Sequence, residues 1–243
     1  MRLHLDLLAS VPKDPGAPHL NEDAVAHDTS CARVAVSDGA SESFDSRRWA
    51  RLLVERYVLH PFFSTAWVNE AVAEYINGVV ADALSWSQQA AYERGSFATL
   101  LGVHMPESAE AVEVVAIGDS VAFHLRNGDL IATFPYSSAQ EFDQRPTLLS
   151  TLAPKNSFLE GAQTGTRPRN EAWSVRPGDV LLLLTDAVAE WVLRERSEDS
   201  SATTVLSNVR SEVDFQQLVA TLREQKRMRC DDATAVRLVI CNE

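Results

Sequence analysis

The chain has 243 residues, of which 45% are hydrophobic, and a formal net charge of −12. It is long enough to bury a large core without disulfides or a structural metal, and its composition excludes wholesale disorder. A field of that sign excludes nucleic acid and anionic membranes as general partners, and repels phosphorylated ligands unless bound cations reverse it locally.

Leu3, Leu5 and Leu7 alternate with His4 and Asp6, which predicts an opening strand. A turn-rich stretch, VPKDPGAPH, follows, then short strands at 24–27 and 33–37. Helical spacing predicts one helix over 46–59 and a second, Ala-rich one over 67–92. Strand patterns return at 98–104, 112–117, 121–126 and 130–133, with Asn127-Gly128 marking a hairpin turn. Residues 135–172 lack periodicity and read as a flap-like segment. Residues 173–175 and 180–184, joined by Arg176-Pro177-Gly178-Asp179, suggest another hairpin-like unit. Helices over 188–195 and 213–226 and a strand over 235–240 complete the chain. Hairpins outnumber β–α–β alternation, so the expectation is a single α+β domain over 1–243, with layered, mainly antiparallel sheets.

The cysteines (Cys31, Cys230, Cys241) have no CxxC spacing and read as reduced, mostly buried thiols. MRLHLDLLAS is too short and polar for a signal peptide, and no apolar run approaches the ~20 residues that span a bilayer, so a cytoplasmic protein is expected. The five tryptophans are expected in the core. His4, His104 and His124 fall within strands and read as structural residues, without metal-binding spacing.

Five aspartates share a placement. Asp38, Asp119 and Asp186 each follow an apolar strand, while Asp23 and Asp232 each precede one. Asp is common in turns and caps, which accounts for any one of these alone. Five acids gathered at strand mouths would repel one another and require a compensating charge. With no suitably spaced His or Cys, an all-oxygen site for Mg²⁺ or Mn²⁺ is the natural reading.

The segments NEDA (21–24), SDGA (37–40), ATLLGV (98–103), AIGDSVAFHLRNGDL (116–130), LLLTDAVAEW (182–191) and CDDATAVRLVI (230–240) resemble, in order, the motif series of the PPM-type (type 2C) metal-dependent Ser/Thr protein phosphatases. The resemblance implies a four-layer α-β-β-α sandwich with a binuclear Mn²⁺ or Mg²⁺ site at one end. By motif match Asp38 would bridge the two ions, the Gly39 carbonyl would ligate one, and Asp186 and Asp232 would hold the first. Glu22 and Asp23 would act on the second through water, and Asp119 matches an acid that holds a third ion in many bacterial members. Asp38, Asp186 and Asp232 are the residues expected to carry catalysis.

Pro18 occupies the slot where many members carry a phosphate-gripping Arg, with Lys13 and His19 nearby as substitutes. Ala187 replaces a customary Gly, and Ala40 stands where some members have His. The expected activity is hydrolysis of Ser/Thr phosphate by a metal-activated water, by a monomer acting on a phosphoprotein opposite a Ser/Thr kinase. Two alternatives stand beside it: a non-catalytic, phosphatase-like binding or regulatory module, and a phosphatase for a small phosphoester.

Overall fold

The computed structural model describes residues 1–28, 32–80, 84–107, 110–160, 169–197 and 202–242. Cys31 and residues 161–168 of the flap-like segment lie outside the described residues. Among the described residues the strands are β1 (Arg2–Val11), β2 (Ala24–Asp28), β3 (Arg33–Ser37), β4 (Phe97–Ala98), β5 (Leu100–His104), β6 (Ala111–Ile117), β7 (Val121–Arg126), β8 (Asp129–Phe134), β9 (Leu149–Ser150), β10 (Arg169–Ser174), β11 (Val180–Leu184) and β12 (Ala233–Cys241). The α-helices are α1 (Ser46–Leu59), α2 (Thr65–Asn77), α3 (Trp86–Arg94), α4 (Asp186–Ser197), α5 (Ala202–Asn208) and α6 (Glu212–Glu224). None of the described helices is long and apolar enough to cross a membrane.

Two five-stranded antiparallel sheets carry the fold, in the orders β1-β12-β11-β7-β8 and β10-β6-β5-β3-β2. Their inner faces meet in one apolar layer, with Val36, Val103, Val114, Leu183 and Val236 among its residues. α1 and α2 cover the outer face of the second sheet through Trp49, Leu53, Tyr57 and Val68. α4, α5 and α6 cover the outer face of the first through Val188, Trp191, Leu206, Phe215 and Val219. The α-β-β-α layering matches the expectation. A strand buried on both faces should read as a continuous apolar run, and β11, VLLLL, alternates between the inter-sheet layer (Leu181, Leu183) and the helix-covered one (Leu182, Leu184).

Local expectations fared unevenly. The Asn127-Gly128 turn joins β7 to β8 with both residues at positive φ (53° and 88°), as a type I′ hairpin requires. The helix expected over 67–92 is two helices. The Gly78 N–H closes α2 on the Tyr75 carbonyl, and Ser85 opens α3 with a capping box to Gln88. The hairpin expected at 173–184 does not form: β10 pairs with β6 and β11 lies between β12 and β7, so the turn at 176–179 crosses from one sheet to the other. Four tryptophans are buried, but Trp86 at the start of α3 is 86% exposed. Cys230 is exposed, contrary to the expectation of buried thiols, and Cys241 is half-buried.

Candidate metal centre

Three of the predicted aspartates leave strand ends on the same side of the sandwich. Asp38 follows β3, where its N–H donates to Thr99 Oγ1 at 2.8 Å and its carbonyl accepts from the Thr99 N–H at 2.8 Å. Thr99 Oγ1 also bonds Ser120 Oγ at 2.9 Å, tying the Asp38 loop to the β6–β7 turn that carries Asp119. Gly118 makes that turn possible: its φ is +99°, and a Cβ there would lie 2.5 Å from Thr99 Cγ2. Asp186 opens α4, where the helix dipole favours a negative charge. Carboxylate oxygens of Asp38, Asp119 and Asp186 all lie within 4.8 Å of one another. They line a cavity of about 450 Å³ together with Gly39, Asp231 and Arg229.

The remaining predicted residues occupy different places. Asp23 lies beside this group; its Oδ2 accepts from Thr185 Oγ1 (3.0 Å) and Thr234 Oγ1 (2.6 Å), while its Oδ1 is buried with no hydrogen-bond partner. Glu22 is held by Lys13 Nζ and by the Ser41 and Ser46 hydroxyls, at 2.5–2.7 Å. Gly39 lines the cavity and packs on α1 so closely that a Cβ would lie 2.9 Å from the Ser46 carbonyl carbon. Asp232, expected among the ligands, does not line the cavity: its Oδ1 accepts the Lys13 N–H and its Oδ2 the Glu22 N–H, both at 2.7 Å. The neighbouring Asp231 stands on the cavity wall instead. The DD pair in the sequence signals that one of them reaches the site. It does not signal which, because adjacent side chains at a strand's start diverge.

The electrostatics are those of an acid cluster short of cations. Burial pushes the Asp38 carboxyl well above its ordinary range, and the charges of Asp23, Asp119 and Asp231 push it further. Burial raises Asp23 to about 7, against the hydrogen bonds from the two threonines. Asp119 is also raised by burial, with Arg229 pulling the other way. Arg229 is paired through Nη2 with Asp186 Oδ2 and stands 3.9 Å from Glu190 Oε2. The Asp186 Oδ1 atom is buried without a partner. Two buried carboxylate oxygens lacking donors, in an all-oxygen cluster, fit a hard divalent cation.

The family model described as protein phosphatase 2C matches residues 17–235. The chain belongs to the protein phosphatase 2C family. No curated protein matches it. Among solved structures it resembles the catalytic domain of the Ser/Thr phosphatase PstP in complex with two manganese ions, at 16% identity over 99% of both chains, with a TM-score of 0.62. PppA, a regulatory component of the type VI secretion system in Pseudomonas aeruginosa, is similar at 20% identity over 98% of both chains, with a TM-score of 0.59. RsbX in complex with magnesium is similar at 11% identity, over 98% of this chain and 95% of that one, with a TM-score of 0.53.

Within this phosphatase 2C fold the departures from the family pattern can be located. Ala187 lies inside α4 and is not at positive φ, so replacement of the customary glycine costs no strain. Pro18 and His19 form an exposed 3-10 turn, and Lys13 is occupied by Glu22 and Ser41. None of the three lines the cavity, whose basic residues are Arg145 and Arg229.

Proposed function

We propose that the chain is a metal-dependent phosphoprotein phosphatase whose ions are held by Asp38, Asp119, Asp186 and Asp231. The observation that carries this reading is the convergence of three carboxylates from three strand ends, within 4.8 Å of one another, on one wall of an open cavity. Mn²⁺ or Mg²⁺ held there would acidify a water and screen the phosphate's charge. The residues around the site then have separable tasks. Asp38 shares the acid cluster with Asp119 and Asp186 and feels the charge of Asp23, so it is the residue we assign to contact more than one ion. The Thr185 and Thr234 hydroxyls hold Asp23 by one oxygen, leaving the other to coordinate a cation or accept from its water. Asp232 is a positioning residue: it ties the Lys13–Glu22 loop, which leads into Asp23, to the start of β12. A cytoplasmic phosphoprotein, with a Ser/Thr kinase as counterpart, is the substrate setting that the family favours.

Hydrolysis of p-nitrophenyl phosphate should require Mn²⁺ or Mg²⁺, cease with EDTA, and fall by at least about 100-fold in Asp38→Asn, a loss typical of removing a group that acts in the transition state. Metal-dependent turnover persisting in that variant would end the assignment. One observation favours a second reading. Arg229 already pairs with Asp186 inside the cluster, and a guanidinium can serve as an internal counterion for a fold that binds without catalysing. A folded protein that neither binds Mn²⁺ nor turns over substrate would decide for that module.

A further inference from the structure

A second cavity, of about 470 Å³, adjoins the metal cavity and shares Ala40, Arg145, Pro146 and Leu148 with it. Its charged residues are Arg94, Arg145 and Lys155 against a single acid, Glu42. In a chain of net charge −12 this is a local inversion of sign directly beside the catalytic cavity. None of these three cations has an ion-pair partner among the described residues. Arg94 gives one N–H to the Ala90 carbonyl at the end of α3. Among the described residues the Arg145 and Lys155 side chains have no hydrogen-bond or ion-pair partner. Phe97, Pro146 and Leu148 supply an apolar floor on which methylene stems can lie.

We infer that this cavity is a substrate subsite for the carboxylate side chains that flank the phosphorylated residue of an acidic phosphopeptide. The inference rests on the phosphatase reading and extends it to sequence preference. An extended peptide advances about 3.3 Å per residue, so with the phosphate in the metal cavity a Glu two or three positions along reaches the adjoining one. Arg145, on the wall common to both, faces the phosphate as well as its flank, and Arg94 and Lys155 face the flank alone. The two exclusive cations come from different parts of the chain. Arg94 closes α3, and Lys155 lies in a 3-10 turn (Ala153–Leu159) inside the segment 135–172. That segment therefore contributes to recognition through Arg145 and Lys155.

The test compares two peptides carrying a hydrolysis-resistant phosphonate in place of phosphoserine, one flanked by glutamates and the other by glutamines. Binding is read by fluorescence anisotropy with Mn²⁺ present. The wild type should hold the Glu-flanked peptide roughly threefold to tenfold tighter, as two or three charge pairs near a surface give. The difference should shrink as salt is raised to several times the physiological level, where the Debye length falls toward ~3 Å. In R94Q/K155Q the two peptides should bind alike while p-nitrophenyl phosphate, which fills only the metal cavity, is hydrolysed at the wild-type rate. Equal affinities in the wild type, or a Glu preference surviving in R94Q/K155Q, would overturn the subsite. A Glu preference in a protein with no p-nitrophenyl phosphate turnover would overturn the phosphatase reading and leave the subsite standing.

Discussion

At the start of β12, Asp232 accepts the Lys13 and Glu22 amide protons through separate oxygens, while Asp231 stands on the cavity wall with Asp38, Asp119 and Asp186. The division predicts different costs for two similar substitutions. Asp231→Asn removes a charged ligand and should weaken Mn²⁺ binding, measured by calorimetry, by about 100-fold or more. Asp232→Asn keeps one acceptor oxygen and should cost no more than about tenfold, the low end of the scale for a residue that orients a ligand from behind. The reverse order would return Asp232 to the metal-binding role expected from the motif. Asp23 illustrates a third situation. Its threonine partners and its solitary buried oxygen are consequences of β11 and β12 lying side by side, far along the chain from residue 23.

Elements carry their own constraints. β1 has a bulge between Leu5 and Leu7, so Leu3 and Leu5 face the inter-sheet layer while Leu7, Ala9 and Val11 face the helices. At the bulge Asp6 accepts from Arg237 Nε at 2.5 Å. The buried Arg237 also donates to the Leu206 and Val209 carbonyls at the end of α5, anchoring that helix to the sheet. Opposite the metal end, the crossing turn after β10 is pinned by Asp179. Its carboxylate accepts from His124 Nε2 (2.8 Å), Arg126 Nε and Nη2 (2.9 and 2.7 Å) and the Arg176 N–H (2.9 Å). Burial alone would raise this carboxyl, but the hydrogen bonds from Arg126, His124 and Arg176 prevail and hold it below the usual range. A depressed folded-state value adds stability above the unfolded value, near 3.9, that is lost as pH falls below it. Asp179→Asn should therefore lower Tm by about 5 °C or more at pH 7, and the gap to wild type should narrow below about pH 4. A gap that stays constant into acid would show that the carboxylate's charge is not what holds the turn.

For the whole molecule the net charge of −12 and the raised carboxyls at one end of the sandwich act together. Unfolding disperses those charges; a bound cation neutralises them in place, so metal should stabilise the fold by mass action. Saturating Mn²⁺ should raise Tm, by roughly 2–4 °C for each kcal/mol of linkage in a chain of this size. Arg229 competes for the same carboxylates. In R229Q the metal-free protein should melt lower and the shift on adding Mn²⁺ should be larger than in wild type. Identical shifts in the two proteins would mean that Arg229 does not contend with the ion.

The layered architecture was legible without coordinates, because alternation, helical spacing and the Asn-Gly turn are local signals read over a few residues. So was the gathering of acids at strand tips, since Asp38, Asp119 and Asp186 each end an apolar run that the core must bury. What tertiary structure decided was every choice between near-equivalents. Whether Asp231 or Asp232 faces the cavity depends on amides more than 200 residues away. Whether 173–184 closes as a hairpin or crosses between sheets depends on which strands sit alongside. The basic cavity joins Arg94, Arg145 and Lys155 from separate segments. The physical reason is common to all of these: local pattern sets an element's period and ends, while the direction of a particular side chain is chosen by long-range partners.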